Sequence, residues 1–345
     1  MFHKNYQLQM IGQESRKVER EKIAILRILA DAQGAVGSKV IARRLKVKYG
    51  ISLSERAVRY HLGLMDERGL TRKVSRRDGR DITSVGFGEL ENAMVIDKVG
   101  FVIEKIERLA FQSSFDPVRL SGQIPVNISL FPRDKFAAAL KAMSGAFKAG
   151  LCVSDLVMVA EEGQKLGSRR VPPDSIGMAT VCSIVINGTL LKAGVPMDSR
   201  FGGILQLEDS IPRRFTEIID YAGSSLDPSE IFTSSRMTSV GKAVRTGAGK
   251  LLANFREIPS MCLPLARETV SKLEKSGING VMVIGEAGKP VCEIPVSINR
   301  VGVVLIGGLN PVAAAAETGI ETANKAMSSL VDSRSLKSFW EIYKP

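Results

Sequence analysis

Residues 52–62 read Ser52-Leu53-Ser54-Glu55-Arg56-Ala57-Val58-Arg59-Tyr60-His61-Leu62, a helix start followed by two chemically distinct faces. Ser52 and Glu55 stand three apart, the capping-box pattern in which hydroxyl and carboxylate satisfy orphan backbone amides reciprocally. The pattern predicts a helix from about Leu53 to Arg68, closed by Gly69. Ala57, Val58, His61, Leu62 and Met65 fall on one side of it, and Arg56, Arg59, Tyr60 and Gly63 on the other. Arginine pairs bidentately with guanine in the major groove and tyrosine can hold a phosphate, so the second face suits a recognition helix. His61 reads as a packed or phosphate-facing side chain.

The flanking segments build a module around this helix. Ile23, Ile25, Leu26, Ile28 and Leu29 recur at helical spacing, and Gly34 and Gly37 interrupt them. Ser38 can cap a second helix through Leu45 that buries Val40, Ile41 and Leu45 and exposes Lys39, Arg43 and Arg44. After Gly69 the period changes to alternation: Leu70–Val74 and Asp81–Val85 read as strands joined by a turn with the hairpin signal Asp78-Gly79. Three helices and a basic hairpin in this order predict a winged helix-turn-helix over residues 18–88 whose partner is duplex DNA. The wing arginines Arg76, Arg77 and Arg80 stand where they would reach phosphates or the minor groove.

Charge supports the same reading. Residues 1–90 hold 19 Lys and Arg against 10 Asp and Glu, whereas the remaining 255 residues hold 29 against 26. The excess positive charge is concentrated in one module, the footprint of a nucleic-acid binder. The N-terminus has no signal-peptide core and no apolar run is long enough to span a membrane, which predicts a cytoplasmic protein. Cys152, Cys182, Cys262 and Cys292 are scattered, without zinc-ligand spacing.

From Gly88 to Phe111, Leu90, Met94, Val95, Val99, Val102, Ile103 and Ile106 share a helical face, predicting a connector or dimerisation helix within residues 89–114. The rest of the chain, 115–345, reads as an internally duplicated α/β domain, making the whole α+β or α/β in class. Asn127–Phe131, a helix and Asp155–Gly163 match Leu251–Phe255, a helix and Asn279–Ala287 at an offset of 124. Ser199–Leu205 matches Asn299–Leu305, giving repeats of about 125–235 and 249–338. The extra residues of the first half are placed in the Ser168–Ile176 loop and an Asn187–Pro196 hairpin.

Two such halves would enclose a ligand cleft between equivalent elements. Arg200 and Arg300 match in this alignment, and paired arginines suit a small dicarboxylate; a structural salt bridge in each half is the competing explanation. Gly307-Gly308-Leu309-Asn310 forms a turn before a helix, where free amides would donate to an anion, with packing alone as the competing explanation.

Catalytic signals are poor. Only His3 and His61 are present, so the body has no histidine for a triad or metal site. Gly247-Ala248-Gly249-Lys250 fails as a phosphate loop, with Val244 in place of the first glycine and Leu251 after the lysine. A small-molecule enzyme with an autoregulatory DNA-binding domain is the alternative; no cofactor and no metal site are expected.

Ser54–Leu62, the segment Thr180-Val181-Cys182-Ser183-Ile184-Val185-Ile186-Asn187-Gly188 and Ser199-Arg200-Phe201-Gly202-Gly203 together resemble the archaeal nitrogen-regulatory repressor family NrpR. The resemblance covers nearly the whole chain, and Cys182 and Ser199–Gly203 are its most specific part. It implies repression of nitrogen-fixation and ammonium-assimilation genes at inverted-repeat operators, with release by 2-oxoglutarate bound to the effector domain. It adds Cys182, Gly202 and Gly203 to Arg200, Arg300 and Asn310 as candidate effector contacts. Some members carry two effector domains and this chain has one, which implies a homodimer or pairing with a separate effector-domain protein lacking the winged helix.

Overall fold

The computed structural model describes residues 18–32, 34–75, 79–92, 100–167 and 169–344. The chain divides into two compact units, Met1–Lys98 and Val99–Pro345.

The first unit holds a helix over residues 18–30 (α1), α2 (Ser38–Tyr49), α3 (Glu55–Glu67), the hairpin β1 (Thr71–Ser75) and β2 (Gly79–Ile82), and α4 (Ser84–Asn92). Ile25, Leu26, Ile28 and Leu29 of α1 meet Ile41, Leu45, Val58, Leu62 and Met65 in one core, so the predicted apolar faces close on each other. The hairpin is sewn to the segment before α2, where Val36 and Arg80 exchange backbone hydrogen bonds of 2.8 and 3.1 Å. Gly79 permits this approach: its φ is +90°, and a Cβ there would sit 2.2 Å from the Val36 carbonyl oxygen.

Boundaries differ from the sequence-based expectation for local reasons. Ser54, not Ser52, caps α3; its hydroxyl accepts the Ala57 amide at 3.2 Å from an extended backbone. No capping box forms, because the Glu55 carboxylate instead accepts the Ser38 hydroxyl at 3.1 Å. Helix α2 runs on to Tyr49, ending where Gly50 turns left-handed at φ +66°, and Val40 is exposed. The second wing strand stops at Ile82, because Thr83 accepts the Gly86 amide and starts α4. Lys22 ties α4 back to α1 through Glu89 at 2.7 Å.

In place of one connector helix over 89–114, α4 ends its described course at Asn92 and a separate α5 (Phe101–Gln112) begins after left-handed Gly100. Met94, Val95 and Val99 lie outside the described residues. Val102, Ile106, Leu109 and Ala110 of α5 are buried in the core of the second unit, so this helix belongs to that unit.

The second unit continues with β3 (Gln123–Pro132), α6 (Phe136–Lys148), β4 (Leu156–Ala160), the short hairpin β5 (Lys165–Leu166) and β6 (Arg169–Arg170), β7 (Ser175–Val181) and α7 (Ile184–Lys192). Then come β8 (Asp198–Glu208), β9 (Ile211–Asp220), α8 (Pro228–Ser234), α9 (Val240–Thr246), β10 (Gly249–Pro259), α10 (Leu263–Lys275), β11 (Val281–Ile284), β12 (Arg300–Ile306), α11 (Asn310–Glu317), β13 (Ala323–Asp332), β14 (Lys337–Ser338) and α12 (Phe339–Ile342). Two five-stranded sheets have the orders β13-β3-β7-β4-β14 and β11-β12-β10-β8-β9. Every described pairing is antiparallel, which makes the body α+β. Asn187–Lys192 lies in α7, where a hairpin was expected. None of the described helices is long and apolar enough to cross a membrane.

The second unit contains two sets of corresponding elements whose register and wiring differ from the simple alignment. Strand β3 corresponds to β10 and α6 to α10 at an offset of 127: Pro132 and Pro259 each end their strand, and Gly150 and Gly277 are both left-handed. The offset is 124 only around β4 and β11. In β7 and β12 the partner of Pro132 is Ser175 and the partner of Pro259 is Arg300. Arg300 therefore corresponds to Ser175, not to Arg200. Strand β8, which carries Arg200, corresponds to β13, and these two strands are exchanged: β8 pairs with β10 of the second half, and β13 pairs with β3 of the first.

Candidate functional site

On α3 the structure keeps the two predicted faces apart. Val58, Leu62 and Met65 are buried, while Arg56, Arg59 and Tyr60 are exposed, Tyr60 by 66%. A Cβ on Gly63 would meet nothing within 4 Å, so this side of the helix stands open. Arg59 lies 3.8 Å from Glu55, a loose exposed pair that costs little to break. Arg43 is exposed and Arg44 half-buried on α2. His61 is packed, with Nε2 3.3 Å from Glu21. Arg76 and Arg77 lie outside the described residues. Arg80 does not extend from a wing tip: its Nε donates to Asp66 at 2.9 Å, and Asp66 also accepts the Thr71 hydroxyl. It braces the base of the hairpin against α3.

In the second unit, the two halves enclose a small, partly open cavity of about 30 Å³, lined by Asn127, Asn254, Cys182, Ser183, Tyr221 and Arg256 among others. Its position follows from the duplication. The Cys182 amide donates to Pro125 and the Gly307 amide to Leu252, equivalent bonds that set the starts of α7 and α11. Cys182, Ser183 and Ile184 before and at the start of α7, and Gly307, Gly308 and Leu309 before α11, line the cavity together. Two helix N-termini thus converge on one space, and the backbone dipole there favours an anion.

Arg256 is the one fully buried cationic side chain at the cavity, 1% exposed. Its Nη1 donates to the Phe255 carbonyl at 3.3 Å, its Nε has no partner, and its guanidinium carbon lies 4.9 Å from the centre of the Tyr221 ring. Among the described residues no carboxylate forms an ion pair with it. A desolvated guanidinium with no direct ion pair is costly, and a bound anion would relieve that cost, Asp227 being the one carboxylate in the same lining. The Tyr221 hydroxyl donates to Asn254 Oδ1 at 2.5 Å, and Asn254 Nδ2 donates to Ser183 at 3.2 Å. Burial pushes the Cys182 thiol up to about 11 and the Tyr221 hydroxyl up to about 12, so both are neutral hydrogen-bonding groups near pH 7. Asp227, also in the wall, accepts the Ser229 amide and hydroxyl and so caps α8.

Of the predicted effector contacts, only Cys182 lines this cavity. Arg200 is half exposed, 3.6 Å from Asp198. Arg300 reaches the same Asp198 at 3.4 Å and Glu257 at 3.7 Å, so both arginines are engaged by the chain's own carboxylates. Gly202 and Gly203 are packing positions: a Cβ would lie 2.9 Å from the Tyr221 hydroxyl in the first case and 2.4 Å from the Glu217 carbonyl in the second. Asn310 is fully buried with both ends of its amide on the Leu252 backbone, at 2.8 and 2.9 Å. Sequence reasoning missed Arg256, Asn127, Asn254 and Tyr221. A charged residue inside the apolar strand Leu251–Ile258 was the available signal. Among the described residues no cluster of potential metal ligands occurs.

A family model described as the NrpR regulatory domains NRD1 and 2 matches residues 99–338, and a model of the ribonuclease R winged-helix domain matches residues 23–90. The global nitrogen regulator NrpRI of Methanosarcina mazei is 39% identical over 321 residues, 93% of this chain and 98% of that protein. The global nitrogen regulator NrpR of Methanococcus maripaludis is 32% identical over 91% of this chain, which spans 54% of that relative's length. The crystal structure of a nitrogen repressor-like protein from Methanococcus jannaschii superposes with a TM-score of 0.59 at 29% identity, covering 69% of this chain and 98% of that one. With the regulatory-domain model covering the whole second unit up to Ser338, the chain belongs to the NrpR family.

Proposed function

We propose that this chain is a nitrogen-responsive transcriptional repressor that binds inverted-repeat operator DNA through its winged helix and leaves it when 2-oxoglutarate occupies the cavity between the two halves. The observation that carries the ligand half of this reading is the buried Arg256 guanidinium without a carboxylate partner, beside two converging helix N-termini. One ligand carboxylate pairs with Arg256, and the starts of α7 and α11 hold the same anionic group. The enclosed space is small, about 30 Å³, so this reading includes a displacement of the walls as 2-oxoglutarate enters. That displacement is the signal.

Arg56, Arg59 and Tyr60 read base edges and phosphates, and Arg43 and Arg44 add phosphate contacts. An inverted repeat calls for two winged helices, supplied by a homodimer, and half-sites about one helical turn apart make affinity sensitive to their spacing. The regulator names of the relatives and the exposed basic face of α3 support the DNA half of the reading.

A gel-shift titration on promoter DNA, with and without 2-oxoglutarate, tests it. Release by 2-oxoglutarate but not by other dicarboxylates, with the metabolite recovered unchanged, is the expected result. Turnover of the metabolite would instead favour an enzyme, and a shallow salt dependence would speak against DNA as the main partner.

A further inference from the structure

One wall of the cavity is built differently from the rest. Strand β13 pairs regularly with β3 up to Lys325 and again from Ser329, and between them it bulges. Within the bulge Met327 has a left-handed backbone, φ +51°, which a residue with a Cβ adopts only when its surroundings impose it. Those surroundings are visible. The Met327 amide donates to Asn127 Oδ1 at 3.0 Å, the Ala326 amide donates to Glu230 at 2.9 Å, and Lys325 donates to the same carboxylate at 3.4 Å. The fourth tie comes from α5: the Lys105 ammonium donates to the Ala326 carbonyl at 3.0 Å across a sequence separation of 221 residues. Ala326, Met327 and Asn127 all line the cavity.

We infer that the Ala326–Met327 bulge is the wall that yields when the cavity is occupied, and that Lys105 carries its displacement into α5; this rests on the effector reading above. The residues involved give the direction. Asn127 holds the bulge with the oxygen of an amide whose nitrogen has only one long bond, 3.4 Å to Thr180, so a ligand competing for Asn127 loosens Met327. Removing that tie leaves a backbone that relaxes toward the ordinary extended region. The Ala326 carbonyl turns with it, and Lys105 follows or loses its acceptor. Its alternatives are Asp227 and Glu230, whose charges face it alongside that of Lys325. Helix α5 opens the second unit, so a shift of Lys105 moves the element the chain meets directly after its DNA-binding unit.

The test uses the full chain and its Lys105→Met and Lys105→Arg variants, with 2-oxoglutarate as the probe. Three quantities are read: the heat of ligand binding, amide hydrogen exchange along Phe101–Gln112, and operator retention. In the wild type, ligand binding should change α5 exchange and weaken the operator complex by about tenfold or more. Lys105→Met should bind the ligand within about threefold of wild type yet show no ligand-dependent change in α5 and no release of DNA, with Lys105→Arg restoring both. Should Lys105→Met fail to fold, Lys105→Gln, whose amide ends one atom short of the ammonium that holds the Ala326 carbonyl, should lose the same two readouts. A wild type that binds ligand without altering α5, or a Lys105→Met protein that still responds, would overturn the inference alone. No heat of binding in the wild type would overturn the effector reading and the inference with it.

Discussion

Asn127 and Asn254 occupy equivalent positions in the two halves, yet Asn127 holds the Met327 amide at 3.0 Å while Asn254 accepts the Tyr221 hydroxyl at 2.5 Å. The twofold relation of the backbones is therefore broken by side chains. Tyr221 and Asp227 come from the segment between β9 and α8 and Ser229 from the first turn of α8, and the position equivalent to Arg256 is Ser129. With Arg256 the one cation in a lining that also holds Asp227, the proposed effector should bind in one orientation, and a titration should give one ligand per chain.

Arg256→Met should abolish 2-oxoglutarate binding, a loss of about 3 kcal/mol or more, because the ligand carboxylate would be buried without a partner. Its Tm should stay level or rise, since a desolvated charge lacking a carboxylate gives way to an apolar chain of similar length. Arg200→Ala should bind as wild type. Calorimetry and a thermal melt on both proteins decide the matter; equal binding by Arg256→Met would remove Arg256 from the site.

On the DNA side, Arg56→Ala and Arg59→Ala should each cost about 1–3 kcal/mol at the operator and much less on random DNA. Arg80→Ala should act otherwise. Losing its bond to Asp66 loosens the hairpin, so a lower melting temperature is expected with an unchanged salt slope of binding. A reduced slope for Arg80→Ala would return it to the phosphate contacts.

Ser54→Ala should destabilise the N-terminal unit by about 1 kcal/mol, the usual loss for a cap, and Ser52→Ala by no more than a few tenths. Urea denaturation of the two proteins makes the comparison, and the reverse ranking would reinstate the capping box at Ser52.

Alkaline pH should weaken the effector domain. Burial raises the Cys182 thiol from its ordinary 9.0 to about 11 and the Tyr221 hydroxyl from 10.0 to about 12. The unfolded chain ionises first, so the stability these groups contribute is intact below about pH 9 and declines as pH rises toward 12. Melting curves from pH 8 to 11 should show the decline, and Cys182→Ala should lessen its lower part without removing it, because burial also pushes the Cys152 thiol up to about 12. A flat profile in the wild type would show that neither group is as secluded as its surroundings indicate.

How much of this was legible in the sequence depends on what each signal measures. The apolar faces of α1, α2 and α3 and the Asp78-Gly79 turn placed the winged helix, because helical period and hairpin chemistry are local properties. The cap was misplaced because Ser52 and Ser54 both precede Glu55 in permissible patterns, and only the tertiary bond from Ser38 to Glu55 excludes one. The repeat was visible but slipped. Alternating strands match at many registers, and the odd shift from 127 to 124 turned Asn127 and Asn254 away from each other's positions. The prolines and left-handed glycines that end the equivalent elements mark the true register. Arg256 went unnoticed because strand membership says nothing of which face meets the other half, and β8 was matched to β12 because exchange between sheets leaves no trace in local pattern.

That exchange has a consequence for how the protein comes into being. Strand β3 emerges from the ribosome some two hundred residues before β13, the partner that closes its edge. Until then, the nascent first half carries an unpaired hydrogen-bonding edge, the kind of surface that recruits wrong partners. Neither half can finish alone, and a polypeptide truncated anywhere before Ala323 lacks the strand that seals the first sheet. The effector domain is consequently an all-or-none product of complete translation, with slow assembly expected from contacts so distant in sequence.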